Sequence, residues 1–252
     1  EADQASAAEA LDAIRAGSDL LLTTPRMDIA AMAAGISNTA AGFPIDPDLL
    51  RRSRARVRAL RQWLAGFPVP EFSVVGSPEH AALADEVAQR SITEIAPGAS
   101  PAPIERECVV IQPELVNLTP ADTTIDSGAS LAAELRTSGL SPTELVVAHA
   151  PTSADLDAAV DVATGRDVVL LVTAAATEPG QVELVRRITA CAARTTVIVA
   201  RNPLDLGFVD TPDSTRVLCS HGFTISTIRA LRAVLTGALQ PVGQLPVRMP
   251  NH

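Results

Sequence analysis

The sequence contains no lysine and no tyrosine, and its 252 residues include one tryptophan and three cysteines. Without lysine there is no G-x-x-x-x-G-K-[ST] loop, and no G-x-G-x-x-G follows a strand-like run, so no motif supports nucleotide binding. Sugar-binding modules that act alone stack aromatic rings on sugars, and an aromatic content of 2% disfavours such a lectin. The cysteines, Cys108, Cys191 and Cys219, lack C-x-x-C spacing. We interpret them as small buried apolar side chains rather than as disulfide or zinc ligands.

Positive charge is less abundant than negative charge. All 20 basic residues are arginines, and 29 acidic residues give a formal net charge of −9. Residues 1–70 carry eight arginines and eight acids, whereas residues 71–252 carry twelve arginines and 21 acids. A surface that binds nucleic acid needs concentrated positive charge, so nucleic acid is not an expected partner. The longest nearly uninterrupted apolar stretch, residues 168–177, is about ten residues long, and a membrane span needs roughly 20.

The first 70 residues predict two helices and one strand. Residues 1–16 are rich in alanine with an apolar stripe, and Gly17 suits a left-handed C-cap. The run 19–25 is short, apolar and ended by proline, which predicts a buried strand. Residues 46–64 predict a helix whose apolar stripe places Trp63 in the core. Six arginines form the other face of this helix, and we interpret them as solvated or paired with acidic neighbours rather than as an anion site.

Residues 72–252 alternate β-branched apolar runs with amphipathic helical segments. A run that is apolar at consecutive positions is typical of a strand buried on both faces, as in a parallel sheet covered by helices. We therefore predict an α/β fold with a doubly wound, mainly parallel sheet in a three-layer α/β/α sandwich. The predicted strands are 108–111, 144–148, 168–172, 196–200 and 216–219, and the helices between them are 153–163, 181–193 and 224–235.

Few residues in this part are candidates for chemistry. His149 and His221 each follow a predicted strand, at the carboxyl edge where α/β sheets bind ligands. Cys219 and Ser220 adjoin His221, but neighbours along a strand point to opposite faces and no third orienting residue is identifiable. We therefore interpret both histidines as structural.

Three pairs of acidic residues stand beside predicted helix starts or in loops, where carboxylates cap free N–H groups. We interpret all three as caps rather than as catalytic acids. No group of His, Asp or Glu has metal-ligand spacing. The pairs are Asp46/Asp48, Asp155/Asp157 and Asp205/Asp210.

The order of segments resembles glycoside hydrolase family 3. Ala10–Leu22 resembles the A-x-x-A-G-x-D-x-x-L stretch that leads into the last barrel strand of that family. Ile45–Arg61 resembles the arginine-bearing helix that closes the barrel. Val75–His80, with Ala88–Thr93, resembles the family's second domain at its start.

Later segments carry the same resemblance. Arg201–Leu206 resembles the R-N-P-Y-D motif of the β-N-acetylglucosaminidase branch, with Leu204 in place of tyrosine. Val234–Gly237 and Pro241–Val247 resemble the family's V-L-F-G and P-x-G-x-L-P-V, with Thr236 in place of phenylalanine. Five segments in the right order, across nearly all of the chain, make the match fairly specific.

The resemblance implies a domain arrangement and an activity. Residues 1–64 would be the C-terminal end of a (β/α)8 barrel, residues 65–71 a proline-punctuated linker, and residues 72–252 an α/β sandwich domain. The implied activity is exo-acting, retaining hydrolysis of terminal β-linked N-acetylglucosamine, without a metal or other cofactor. The family's nucleophilic Asp and the branch's proton-donating His would precede Glu1, so we assign no catalytic residue and expect this chain alone to be inactive.

The implied barrel also suggests partners. Barrel active sites gather at the carboxyl ends of strands, so Thr24, Arg26 and Met27 are candidate substrate-binding residues. A carbohydrate substrate would bind through the parent barrel, and the missing barrel is expected to pack on residues 1–64. Because Glu1 is not Met and no leader-like segment opens the chain, we expect further residues upstream in the source protein. The alternatives are a non-catalytic interaction or scaffolding domain derived from such an enzyme, or a β-glucosidase or β-xylosidase of the same family.

Overall fold

The chain forms two compact units. A computed structural model describes residues 2–23, 28–42, 45–96, 102–117 and 130–247. Its residues group into one unit of 1–72 and a second of 73–252. Among the described residues, none of the helices combines the length and the apolarity that crossing a membrane requires.

The first unit is helical. Its helices are α1 (Ala2–Arg15), α2 (Ile29–Gly42) and α3 (Pro47–Ala65). Helix α1 packs so closely on α2 that a Cβ added to Gly35 would lie 2.8 Å from that of Ala7. The predicted left-handed cap is confirmed, because Gly17 follows α1 with a φ of 101°. The predicted cap at α3 is confirmed too, since Asp46 accepts the N–H of Asp48 at 2.9 Å.

Two expectations for the first unit are wrong. The strand predicted at 19–25 does not form over its described part, 19–23, where Leu22 is fully exposed. A strand needs a hydrogen-bonded neighbour, and the described residues of this unit contain no other strand. Helix α3 has no buried residue, and Trp63 is 61% exposed. Its apolar stripe therefore has the predicted pattern but stays open to water in the described part of this unit, apart from an edge-to-face contact between the rings of Trp63 and Phe67, with centroids 4.9 Å apart.

The second unit is built on a six-stranded, mostly parallel sheet. Its strand order is β1-β6-β5-β4-β2-β3. Strands β2 to β6 run parallel, and β1 pairs antiparallel with β6 at one edge. All five predicted strands form within two residues of their predicted bounds, whereas β1 was not predicted. The strands are β1 (Thr93–Ala96), β2 (Val109–Pro113), β3 (Thr143–Val147), β4 (Asp167–Val172), β5 (Arg194–Val199) and β6 (Arg216–Cys219).

Helices complete the core of the second unit. Buried side chains alternate along the central strands between two clusters: around β2, Val109 and Ile111 belong to one, and Cys108 and Val110 to the other. Because successive strand side chains point to opposite faces, the clusters lie on opposite sides of the sheet. Helices α6 (Ser153–Ala163) and α7 (Pro179–Cys191) contribute to the first cluster. The second cluster is completed by α4 (Pro78–Ser91), α5 (Leu131–Arg136) and α8 (Ile225–Leu235).

The strand order creates a switch point between β2 and β4. Strand β3 pairs on one side of β2, whereas β4, β5 and β6 continue on the other side. Open α/β sheets bind ligands beyond the carboxyl ends of their strands, near such a point. The carboxyl edge is therefore the place in this unit to look for a site.

Candidate functional site

The substrate-binding residues predicted from the sequence, Thr24, Arg26 and Met27, lie outside the described residues. Asp19, in the segment just before them, forms a salt bridge with Arg56 of α3. Oδ2 and Oδ1 of Asp19 accept hydrogen bonds from Nε and Nη2 of Arg56 at 2.5 and 2.6 Å. These bonds hold the pKa of Asp19 below its ordinary value. At least one of the six arginines on α3 is thus paired within its own unit.

Gln181 joins two loops at the carboxyl edge of the second unit. Its side chain is fully buried. Its Oε1 accepts the N–H groups of Thr173 at 2.9 Å and Ala174 at 3.1 Å, just after β4. Its Nε2 donates to the carbonyl of His149 at 2.8 Å, after β3. A single glutamine at a helix start carries no sequence signal, so sequence reasoning missed this residue.

His149 has the structural role that was predicted for it. The residue is half-buried beyond the end of β3, and its Nδ1 lies 3.3 Å from the carbonyl oxygen of Glu114, beyond β2. Strands β2 and β3 are neighbours. The contact therefore joins the loops that follow these two strands, on the side of the switch point that lies away from β4.

The R-N-P-L-D segment after β5 reaches two neighbouring loops. Nη1 of Arg201 donates to the carbonyl of Val116 at 3.0 Å, beyond β2. Oδ1 of Asp205 accepts the N–H of Ala176 at 2.9 Å, beyond β4. Between them, Asn202 caps a short 3₁₀ helix, Pro203–Phe208, by accepting the N–H of Leu204 at 3.0 Å. The motif thus fixes the position of the loops across the switch point.

The two charged groups of this segment are partly removed from water. Asp205 is buried, and within the described part of the chain its Oδ2 has no hydrogen-bond partner. Burial raises the pKa of Asp205, although the bond from Ala176 and the charge of Arg201 counteract this. Burial lowers the pKa of Arg201, and the charge of Asp205 offsets part of that effect. Asp210, its predicted partner in a carboxylate pair, is exposed.

His221 contacts Cys219, two residues before it. His221 follows β6 with a φ of 56°, and its Nδ1 lies 3.7 Å from Sγ of Cys219. Adjacent residues of a strand point to opposite faces, whereas residues two apart share a face, so the predicted separation does not apply to this pair. Nε2 of His221 lies 3.1 Å from Oγ1 of Thr93, and that hydroxyl donates to the carbonyl of Ser91 at 3.0 Å. Nε2 is therefore the protonated nitrogen, and Nδ1 is free to accept from the thiol.

This trio does not form an activated nucleophile. Cys219 is fully buried, and burial raises its pKa, so the thiol stays protonated at neutral pH. Burial also lowers the pKa of His221, which favours the neutral ring. Thr93 is the third residue that the sequence did not reveal, and its role here is to fix the imidazole in place.

The polar contacts at this edge of the sheet hold loops in place. Among the described residues, no group of three or more His, Cys, Asp and Glu side chains is placed to hold a metal ion. Retaining glycoside hydrolysis uses two carboxyl groups about 5 Å apart. The contacts described above at this edge of the second unit contain one carboxylate, that of Asp205, and its Oδ1 is already bonded to a backbone N–H. The arrangement is that of a scaffold that holds the loops beyond β2, β3, β4 and β5.

Comparison of the sequence with protein-family models and with curated proteins finds no match. Solved structures do match. A glycoside hydrolase family 3 β-N-acetylglucosaminidase from a Paenibacillus species is 23% identical, with a TM-score of 0.77 over 96% of this chain and 47% of its own. A fungal multi-domain family 3 β-N-acetylglucosaminidase is 22% identical, with a TM-score of 0.75 over 97% and 29%. A β-glucosidase from intestinal bacteria is 18% identical, with 0.61 over 98% and 43%.

The chain has the fold of part of a family 3 glycoside hydrolase. It spans less than half the length of each of these three structures.

Two glycines in the segments that resemble family 3 occupy positions where the backbone requires glycine. Gly237 adopts a φ of 78° directly after α8, and a Cβ on Gly243 would lie 2.3 Å from the carbonyl oxygen of Ser91. Only glycine fits both positions without strain.

Proposed function

We propose that this chain belongs to glycoside hydrolase family 3 and is the C-terminal part of an exo-acting, retaining β-N-acetylglucosaminidase. The observation that carries the proposal is the agreement in fold. The TM-scores with two family 3 β-N-acetylglucosaminidases are 0.77 and 0.75, whereas those with three β-glucosidases lie between 0.53 and 0.61. The R-N-P-L-D segment at 201–205 supports the same branch.

The proposed reaction removes a terminal β-linked N-acetylglucosamine by double displacement through a covalent glycosyl-enzyme intermediate. Its nucleophile and proton donor belong to the barrel, upstream of Glu1, and no residue of this chain is assigned a catalytic role. Thr24, Arg26 and Met27 would approach the sugar from the end of the last barrel strand. The second unit, as a three-layer α/β/α sandwich, would support the barrel.

The domain arrangement is part of the proposal. Residues 1–64 complete the barrel, residues 65–71 are the linker, and residues 72–252 form the sandwich domain. The first unit supports it by what it leaves uncovered. Helix α3 has no buried residue, and large apolar side chains of this unit are exposed to water. Exposed apolar patches mark interaction sites, and the proposed occupant here is the rest of the barrel. The exposed side chains are Leu20, Leu22, Ile29, Trp63, Leu64 and Phe67.

Two alternatives give different outcomes in one experiment. The polypeptide that contains this sequence is purified from its source, its intact mass is measured, and it is assayed with chromogenic β-glycosides of N-acetylglucosamine, glucose and xylose. A mass far above 26.2 kDa with preferred cleavage of the N-acetylglucosaminide supports the proposal. Preference for the glucoside or the xyloside identifies the other family 3 activities. A mass near 26.2 kDa and no hydrolysis would replace the proposal with a non-catalytic scaffolding domain.

A further inference from the structure

A second polar region lies at the amino edge of the sheet, away from the loops already described. A cavity of about 250 Å³ opens there at the starts of β5 and β6. Five of its lining residues carry hydroxyl groups, and two are arginines, Arg194 and Arg216. No acidic residue is among the described residues that line it, although acids outnumber arginines by 21 to 12 over residues 71–252. The hydroxyl residues are Thr189, Thr195, Thr196, Ser214 and Thr215.

Arg216 is a buried cation with unused donors. Its side chain is 6% exposed, and its Nε donates to Oε1 of Glu94 at 2.6 Å. Its Nη1 is buried and has no hydrogen-bond partner among the residues that the structure describes. A guanidinium has five N–H donors and stays charged even when buried. One carboxylate oxygen at Nε therefore leaves part of its hydrogen-bonding capacity unmet beside the cavity, and unmet buried donors are costly to a fold.

Arg194 approaches the same cavity from the neighbouring strand. In the β5–β6 ladder Arg216 is paired with Thr196, and Arg194 precedes Thr196 by two residues. Side chains two residues apart on a strand share a face, so both arginines project from the same side of the sheet. Arg194 binds the carboxylate of Asp167 through Nε and Nη2, and Nη2 also donates to the carbonyl of Pro103 at 2.8 Å. Both guanidinium groups are thus held in place by protein partners on one flank.

The chemistry of the lining specifies the ligand. Two fixed guanidinium groups on adjacent strands offer N–H donors from two directions, and the hydroxyls add donors that adjust by rotation. A planar carboxylate satisfies one such fork, whereas a tetrahedral oxyanion presents oxygens in several directions at once. The volume lies just below the usual range for drug-sized ligands, about 300–1,000 Å³. We propose that this cavity binds a tetrahedral oxyanion of the phosphate type, either free or attached to a small molecule.

The test uses calorimetric titration of the full chain at constant ionic strength, with inorganic phosphate and glucose 6-phosphate as separate probes and sodium chloride as the blank. We expect saturable binding with one site per chain. Arg216→Gln alone would leave Glu94 as a partly buried charge without its partner, so the double variant Glu94→Gln/Arg216→Gln is made beside it. Both should weaken phosphate binding about tenfold or more. Thr215→Val breaks no ion pair, and we expect it to weaken binding by a smaller factor.

Arg229→Gln is the matched control, because Arg229 is an exposed arginine of the same unit whose ion-pair partner is Asp85 at 3.6 Å. It should bind phosphate as the unaltered chain does. Tighter binding of glucose 6-phosphate than of inorganic phosphate would identify a phosphorylated small molecule as the ligand, and the reverse would identify the free anion. The proposal is overturned if neither probe binds saturably, or if the double variant, shown to be folded by circular dichroism, binds as tightly as the Arg229→Gln control.

Discussion

Oδ1 of Asp205 accepts the N–H of Ala176 at 2.9 Å, so one carboxylate connects the loops that follow β5 and β4. The other oxygen of the same carboxylate is buried, and none of the described residues forms a hydrogen bond to it. A carboxylate in this position is favoured when protonated, because a proton removes the charge that burial penalises. The contact therefore fixes the loops and also makes their stability depend on pH.

Asp205→Asn should remove that dependence. The pKa of Asp205 is raised in the folded chain, so the folded state binds this proton more tightly than the unfolded state does. Asp205 thus contributes stability that is fully present below the ordinary pKa of 3.8 and is lost as the pH rises through the raised value. We expect the unfolding free energy of the unaltered chain, relative to Asp205→Asn, to increase as the pH falls from neutral toward 3.8.

Urea unfolding at a series of pH values measures this difference directly, since the other carboxyl groups titrate equally in both proteins. Asp210→Asn is the control, because Asp210 is exposed and lies just beyond the 3₁₀ helix Pro203–Phe208. Its difference curve should be flat. A flat curve for Asp205→Asn as well would show that Asp205 has no raised pKa in the folded chain.

Gln181→Ala should destabilise the second unit strongly. The change removes the acceptor of two buried N–H groups, on Thr173 and Ala174, and the donor to the carbonyl of His149. Each unsatisfied buried group costs about 1–3 kcal/mol, so a loss of about 3 kcal/mol or more is expected. Chemical denaturation measures it. Gln240→Ala, at an exposed position, should change the unfolding free energy by less than about 0.5 kcal/mol, and equal losses in both variants would refute the role of Gln181.

The parallel strands were predictable because they are buried on both faces. Strand β4 is buried at all six of its positions, and burial on both sides demands the continuous apolar run that the sequence shows at 168–172. Strand β1 gives no such signal. It is four residues long, lies antiparallel at an edge and contains Glu94, whose charge is compensated by Arg216 from β6. Pairing between residues 122 positions apart leaves no local pattern.

The polar contacts at the carboxyl edge were less predictable for a related reason. Gln181 and Thr93 are ordinary residues until the fold places them beside the loops after β4 and β6. His221, which contacts Cys219, has a φ of 56°, and a non-glycine residue rarely adopts such a value. Trp63 shows the opposite case. Its apolar stripe has the predicted helical pattern, but in the described part of the first unit its ring contacts Phe67 and stays 61% exposed.

Gly243→Ala should destabilise the junction between α4 and β1. A Cβ at this position would lie 2.3 Å from the carbonyl oxygen of Ser91 and 2.6 Å from Oγ1 of Thr93. The backbone must move to relieve this overlap, which also strains the bond from the N–H of Gly243 to the carbonyl of Ile92 at 2.9 Å. We expect a loss of about 1–3 kcal/mol in unfolding free energy.

Gly222→Ala is the matched control for this substitution. The nearest atom to a Cβ at Gly222 is Oγ1 of Thr227 at 3.8 Å, an ordinary contact distance. Thermal unfolding of both variants should show a clear decrease in the melting temperature for Gly243→Ala and little change for Gly222→Ala. Similar melting temperatures would mean that the C-terminal segment around Gly243 can move away without cost to the fold.

The three cysteines should react with alkylating agents at very different rates. Iodoacetamide attacks the thiolate, so both access and pKa control the rate. Burial, together with the negative charge of Asp167, raises the pKa of Cys108 to about 11, and burial also raises that of Cys219. Both are buried, whereas Cys191 at the end of α7 is half-buried. We expect native chain to be labelled first at Cys191, with the other two protected.

Peptide mapping by mass spectrometry after timed labelling measures the three rates. The chain unfolded in urea, where all three cysteines should react alike, is the reference.

The His221→Ala variant separates the effect of burial on Cys219 from the effect of its contact with His221. If the contact at 3.7 Å between Nδ1 and Sγ acts as a bond to a neutral thiol, its loss leaves Cys219 protected, because burial alone keeps the thiol protonated. Fast labelling of Cys219 in the folded, unaltered chain would instead show that His221 draws the proton from the thiol, and the pair would then have to be reconsidered as an activated nucleophile.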